Sequence, residues 1–174
     1  MIQIEEKLNS IVLRNTREAD INYVVDFEQR PDNALYVGQW TKEQHLNSIY
    51  QEDILHLIVE DKPTNKPVGY VIIAGITNSN KNIEFRRIVI SEKGKGYGRE
   101  TIKLIKKISF EQLHAHRLWL DVRLKNYIAQ NLYKSEGFIE EGTLRECIFY
   151  NGKFESLIVM SILESEYISQ SYLF

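Results

Sequence analysis

The chain has 174 residues, 43% of them apolar and 26% charged, with a net charge of −2. That length closes one hydrophobic core, and that balance is the composition of an ordinary soluble globular protein. The small net charge gives no reason to expect nucleic acid as a partner, and no apolar run approaches the ~20 residues that span a bilayer. Cys147 is the single cysteine, so no intrachain disulfide forms and a reducing compartment is the simplest fit. Nothing at the N-terminus has the three regions of a signal peptide. The expectation is a cytoplasmic protein of one domain over 1–174, with a core at about 11–163 and a tail at 164–174.

In chain order, Ile11 to Arg14 reads as a first strand. Thr16 is placed to cap a helix running through Phe27, with Ile21, Val24 and Val25 as its apolar side. Glu28 to Gln39 reads as a loop, and Thr41-Lys42-Glu43-Gln44 as a capping box that opens a second helix. Leu55 to Glu60, Val68 to Ile76 and Ile83 to Ile90 read as three successive antiparallel strands. A glycine-rich turn, Ser91 to Gly98, leads into a helix from about Arg99, striped with Ile102, Ile105, Ile108 and Leu113. Leu118 to Val122 is a strand and Asn126 to Glu136 a helix, with Gly137 at the position where helices commonly stop. Asn151-Gly152 is the strongest two-residue turn signal, joining hairpin arms at about 138–149 and 154–163. The predicted class is α/β, a mixed and mostly antiparallel central sheet of about seven strands flanked by helices.

The turn between the third of those strands and its helix carries the chemistry. Glycines at 94, 96 and 98 permit positive φ and let backbone N–H groups approach a ligand. They open into a helix N-terminus, and Lys93, Lys95 and Arg99 add cations, an arrangement that favours phosphate or pyrophosphate. A Walker-type loop needs Lys-Ser/Thr after its last glycine, and Arg99-Glu100 stands there. A dinucleotide fingerprint needs a small residue at 99 and repeated βαβ alternation, and the chain has neither.

Lys93-Gly94-Lys95-Gly96-Tyr97-Gly98 resembles the coenzyme A loop of the GNAT N-acetyltransferases, Gln/Arg-x-x-Gly-x-Gly/Ala. Asn126 to Phe138 matches the same family's Asn-x-x-Ala-x-x-Leu-Tyr-x-x-x-Gly-Phe helix in full. The similarity is greatest to the branch of spermidine and ribosomal-protein N-terminal acetyltransferases, the cue being the long terminal hairpin. The resemblance covers about residues 11 to 163, with little of it in the N-terminal third. It implies a GNAT fold and acetyl-CoA as co-substrate. It implies coenzyme contacts from Ile88, Val89, Ile90, Lys93, Gly94, Lys95, Gly96, Tyr97, Gly98, Arg99, Asn126 and Tyr133. Lys93 departs from the family's Gln/Arg, keeping charge but losing the guanidinium fork.

Such a family moves an acetyl group from a thioester to an amine by direct attack. The amine must lose a proton and the thiolate must gain one. A lysine-like amine of pKa ~10.4 is deprotonated at neutral pH at a cost of ~4.6 kcal/mol, a protein α-amine of pKa ~8 at only ~1.4 kcal/mol. The resemblance implies Glu84 as the base and Tyr133 as the acid. Glu28, Glu52 and Asp53 are further candidates for orienting a cationic acceptor. The acceptor is expected to be a polyamine such as spermidine or a protein N-terminal amine, with no metal, no nucleic acid and no membrane as partners. The alternative is a non-catalytic acyl-CoA-binding or partner-binding module. The four histidines show no metal-ligand spacing, Cys147 reads as inert packing on a hairpin arm, and the two tryptophans as structural, although Trp40 lies in the variable acceptor region. Tyr167, Ile168, Tyr172, Leu173 and Phe174 are too apolar to be left free, and are expected to pack on the sheet or on a second subunit of a homo-oligomer.

Overall fold

A computed structural model describes residues 2–171. One eight-stranded sheet runs through it in the order β1-β2-β3-β4-β5-β6-β8-β7. The strands are β1 (Glu5–Lys7), β2 (Ile11–Asn15), β3 (Ile54–Asp61), β4 (Lys66–Ala74), β5 (Asn82–Ile90), β6 (Arg117–Arg123), β7 (Ile139–Tyr150) and β8 (Lys153–Leu163). The sheet has one strand more than the sequence suggests. The extra one is β1, a short pairing of Glu5–Lys7 on the edge of β2, too polar and brief to show as a strand in the sequence. The helices are α1 (Ile21–Gln29), α2 (Pro31–Ala34), α3 (Lys42–Ser48), α4 (Tyr97–Lys107), α5 (Tyr127–Ser135) and α6 (Glu164–Ser171).

Three local expectations are corrected. The Thr16 hydroxyl meets His56 Nδ1 at 2.8 Å and caps no helix; a 3₁₀ turn at Glu18–Asp20 precedes α1 instead. Pro31 starts a single helical turn, α2, inside the segment expected to be a loop, as its fixed φ suits a first helical position. The long helix begins at Tyr97 rather than Arg99, because left-handed Gly96 (φ 82°) ends the turn there. The capping box at Thr41 forms, with Gln44 N–H donating to Thr41 Oγ1 and Thr41 N–H to Gln44 Oε1.

The sheet is apolar on both sides at its centre, as strands covered on both faces must be. Leu57, Val71, Ile73, Phe85 and Leu120 pack with Ile102 and Ile105 of α4 and Tyr133 of α5 on one face. Ile58, Tyr70, Ile72 and Val89 pack with Val24 and Phe27 of α1 on the other.

All neighbouring strands pair antiparallel except β5 and β6, which are parallel and register only at Asn82↔Arg117, Ile83↔Leu118 and Glu84↔Trp119. Beyond Glu84 the two strands part. The cause lies on β5, where Glu84 to Arg87 faces Ala74 to Ile72 with one extra residue. Such a bulge bends a strand and re-aims its side chains. The parted strands leave the backbone of Phe85 to Val89 without a β6 partner, Ile90 O being taken by Lys93 Nζ, and the candidate site lies in that opening.

Candidate active site

The glycine-rich loop closes one end of the opening. Gly94 (φ +79°) and Gly96 (φ +82°) are both left-handed, and a Cβ placed on either would meet nothing within 4 Å. The loop is therefore an open cradle whose glycines serve backbone shape rather than packing. Its amides lead into the N-terminus of α4, which has an acidic residue only at Glu100 in its first turn. That arrangement of donors fits a pyrophosphate, so the chain's own residues suit the coenzyme expected of them.

The cations of the loop are arranged differently from a set of free phosphate ligands. Lys93 Nζ donates to Asn33 Oδ1 at 2.6 Å and to Ile90 O at 2.7 Å, and burial lowers its pKa. Lys95 pairs with Glu92 at 2.5 Å, and Arg99 with the buried Glu136 at 2.5 Å. The Tyr97 hydroxyl donates to Asp61 at 2.7 Å, so this side chain is an anchor for the start of α4. Val89 turns its side chain into the α1 face of the core, while Ile88 and Ile90 pack toward α4. What these strand residues present to the opening is backbone. Asn126 caps α5, its Oδ1 accepting from Ala129 N at 3.2 Å, which leaves its amide nitrogen unused by the cap.

Tyr133 sits on α5 at the inner end of the opening, 7% exposed, with its ring edge-on to Phe85 at 6.1 Å and tilted against Phe138 at 5.8 Å. Burial first, and then the charge of Asp121, raises the pKa of its hydroxyl. Glu84 stands where the strands part, held by Arg86 Nη2 at 2.6 Å and Nε at 2.9 Å.

Sequence reasoning did not single out Asp121 for this chemistry. Trp119 pairs with Glu84, and Asp121 follows two residues later on the same face of β6. Its side chain is open to solvent on one side, yet the surrounding protein and the nearby Glu84 charge raise its pKa, and among the described residues its carboxylate has no ion-pair or hydrogen-bond partner. The charge of Glu84 raises the pKa of Asp121, and that of Asp121 raises the pKa of Tyr133, so Asp121 is electrostatically linked to both. The signal was the alternation of β6 set beside that of β5, legible only once the register is known.

The other acidic candidates do different work. Asp53 accepts from Thr77 N at 2.9 Å and Thr77 Oγ1 at 2.6 Å, closing a turn. Glu28 is 1% exposed and bound by Arg87. Glu52 is exposed in the turn before β3. Cys147 is exposed on β7, which corrects the expectation that it is packed; β7 is an edge strand with little covering it. His45 and His56, distant in sequence, touch in the core with ring nitrogens 3.1 Å apart. A cavity of about 340 Å³ beside the opening is lined by Leu35, Tyr36, Arg123, Lys125, Tyr150, Asn151, Lys153 and Glu155.

The chain is similar to known proteins along nearly its whole length. Residues 20–138 match the sequence model of the Acetyltransferase (GNAT) family. The chain is 29% identical to a spermidine N(1)-acetyltransferase of Vibrio cholerae over 94% of its own length and 98% of the relative's. It is 28% identical to a putative [ribosomal protein bS18]-alanine N-acetyltransferase of Bacillus subtilis, over 88% and 96%. The crystal structure of the spermidine N-acetyltransferase from Vibrio cholerae in complex with CoA and spermine superposes with a TM-score of 0.83 at 27% identity, covering 91% of this chain and 98% of that one. The chain belongs to the GNAT acetyltransferase family and is an acetyl-CoA-dependent N-acetyltransferase.

Proposed function

We propose that the acceptor is a polyamine of the spermidine type, acetylated on a primary amine in the opening between β5 and β6. The observation that carries this reading is that Glu84, opposite Trp119, and Asp121, two residues further along β6, face the same side where the strands part. Two carboxylates attract a cationic chain end and hold it beside Tyr133. Similarity to spermidine acetyltransferases along nearly the whole chain supports the same acceptor.

The loop amides from Lys93 to Gly98, the α4 N-terminus, the free β5 backbone and the Asn126 amide would hold acetyl-CoA, which supplies the activated acetyl group. Arg86 Nη2 and Nε both hold Glu84 Oε2, so that carboxylate is already engaged by a side chain of its own strand. Asp121, unpartnered and with its pKa raised, receives the amine proton at its carboxylate oxygen. Tyr133 keeps its proton on Oη while Asp121 is charged, because that charge raises the phenol pKa. Once Asp121 is protonated the charge is gone, and Tyr133 becomes the better acid when the sulfur departs. The base therefore primes the acid. Loss of the amine proton at ~4.6 kcal/mol is the step for which a polyamine needs this help.

A second reading, a protein α-amine, is favoured by the similarity to a putative [ribosomal protein bS18]-alanine N-acetyltransferase along 88% of the chain. A panel of amines assayed for thiol release from acetyl-CoA separates the two. Polyamine acceptance well above that of peptides with free N-termini is expected; acceptance of peptides alone would reject the polyamine reading.

A further inference from the structure

Glu28 is a buried carboxylate that the reaction does not use. Near the end of α1, it accepts from Arg87 Nη1 at 2.5 Å, from Trp40 N at 3.0 Å and from the Tyr70 hydroxyl. Its own carbonyl accepts from Gln39 Nε2 at 2.8 Å. Behind it, His45 Nε2 lies 3.2 Å from Glu28 Oε1, poorly aligned, and His45 Nδ1 is 3.1 Å from His56 Nε2. His56 Nδ1 ends the row 2.8 Å from Thr16 Oγ1. With both rings neutral, a proton on His45 Nε2 toward the Glu28 carboxylate makes His45 Nδ1 the acceptor of His56 Nε2–H, and His56 Nδ1 the acceptor of the Thr16 hydroxyl.

Burying an ion pair is weak support for stability, since apolar replacements of similar size are often as stable; its best-attested use is to fix one arrangement. Here the arrangement fixed is the segment 30–41. Glu28 holds the Trp40 end, and the Trp40 ring lies 4.5 Å from the Arg87 guanidinium. Arg87 is three residues from Glu84 on β5. At its other side the segment reaches the hairpin, where the Tyr150 hydroxyl donates to Ala34 O at 2.8 Å. Leu35 and Tyr36 line the cavity with Arg123, two residues beyond Asp121 on β6. The segment thus bridges the parted strands from β5 to the hairpin, over the face that carries both carboxylates.

We propose that Glu28 is a positioning residue for the acceptor: through Arg87 and Trp40 it sets the bridge that walls the acceptor side of the opening. This rests on the opening being the acceptor site, and not on which amine enters it. Glu28→Gln keeps the size of the side chain and removes the charge that Arg87 and Trp40 N–H answer.

The test uses the full chain with the amine that gives the fastest thiol release in the panel. Glu28→Gln should raise the acceptor KM at least tenfold while acetyl-CoA Kd stays within twofold. Chymotryptic cleavage after Leu35 or Tyr36 should be at least tenfold faster than in the parent, a readout that needs no acceptor. An unchanged KM, or KM and coenzyme Kd weakening together, would overturn the proposal, and so would unchanged cleavage. If Glu28→Gln does not fold, Trp40→Ala, which removes the ring over Arg87 and beside His45 but keeps the N–H that Glu28 accepts, must show the same split or the proposal falls. Failure of every polyamine in the parent would instead count against the acceptor class alone.

Discussion

At the scale of single residues, the site depends on which groups are left uncommitted. Tyr133 is packed by Phe85 and Phe138 and none of its ring contacts needs the hydroxyl. Tyr133→Phe should therefore lower kcat about a hundredfold, the low end for a lost general acid, with acetyl-CoA Kd unchanged by calorimetry. Equal losses in binding and turnover would make Tyr133 a binding residue. Asp121 owes part of its raised pKa to the charge of Glu84. Glu84→Gln should move the acid limb of the kcat/KM profile to lower pH, because Asp121 then ionises more readily. Movement to higher pH would contradict the coupling. Glu84 was readable from its strand and its place before the glycine loop. Its commitment to Arg86 was not, since an i, i+2 contact across a bulge has no sequence signature.

At the scale of elements, most of the fold was legible because its signals are local. The capping box at Thr41, the Asn151-Gly152 turn and the left-handed Gly137 (φ 90°) each specify their element by short-range chemistry. What stayed hidden depends on contacts distant in sequence. The pairing that takes Thr16 away from a cap joins residues 40 positions apart. The parting of β5 from β6, which makes the site, comes from a bulge in pairing with β4. Two predictions belong here. Gly96→Val forces a β-branched residue into φ 82° with no clash to blame, so acetyl-CoA affinity should fall at least tenfold; unchanged affinity would place the phosphates elsewhere. His56 is held neutral by burial and by the neighbouring His45 and Arg87, its pKa pushed down to about 3 from 6.5. A depressed folded-state pKa contributes stability above the unfolded value that is lost as pH falls toward the folded one. Unfolding free energy should drop between pH 6.5 and about 3, by up to ~1.4 kcal/mol per pH unit from this group. His56→Gln should flatten that part of the slope relative to the parent; identical slopes in urea titrations would deny His56 the role.

At the scale of the whole molecule, the segment after the sheet is a helix and completes the core. Tyr167 of α6 stacks on Phe110 at 4.9 Å and Gln170 covers Gly137, where a Cβ would lie 2.0 Å from its nitrogen. The expectation that Tyr167 packs on the fold holds, while Ile168 is 45% exposed. Tyr172, Leu173 and Phe174 lie outside the described residues. Deletion after Leu163 should cost about 2 kcal/mol, or about 5 °C in Tm, from one lost aromatic stack and its buried area. An unchanged melting curve would show that α6 contributes nothing. The family was legible from two motifs because both are short runs of backbone chemistry. The acceptor wall was not, since it joins α1, β5 and the hairpin tip.

The measurement closest to the central claim is the pH dependence of kcat/KM for spermidine in Asp121→Asn beside the parent. The largest loss is expected near pH 7, where the amine is almost wholly charged, with recovery of much of it toward pH 9, where solution supplies the neutral amine. Glu84→Gln should lose less at pH 7 than Asp121→Asn. Parallel profiles for Asp121→Asn and the parent would mean that Asp121 is not the group that takes the proton.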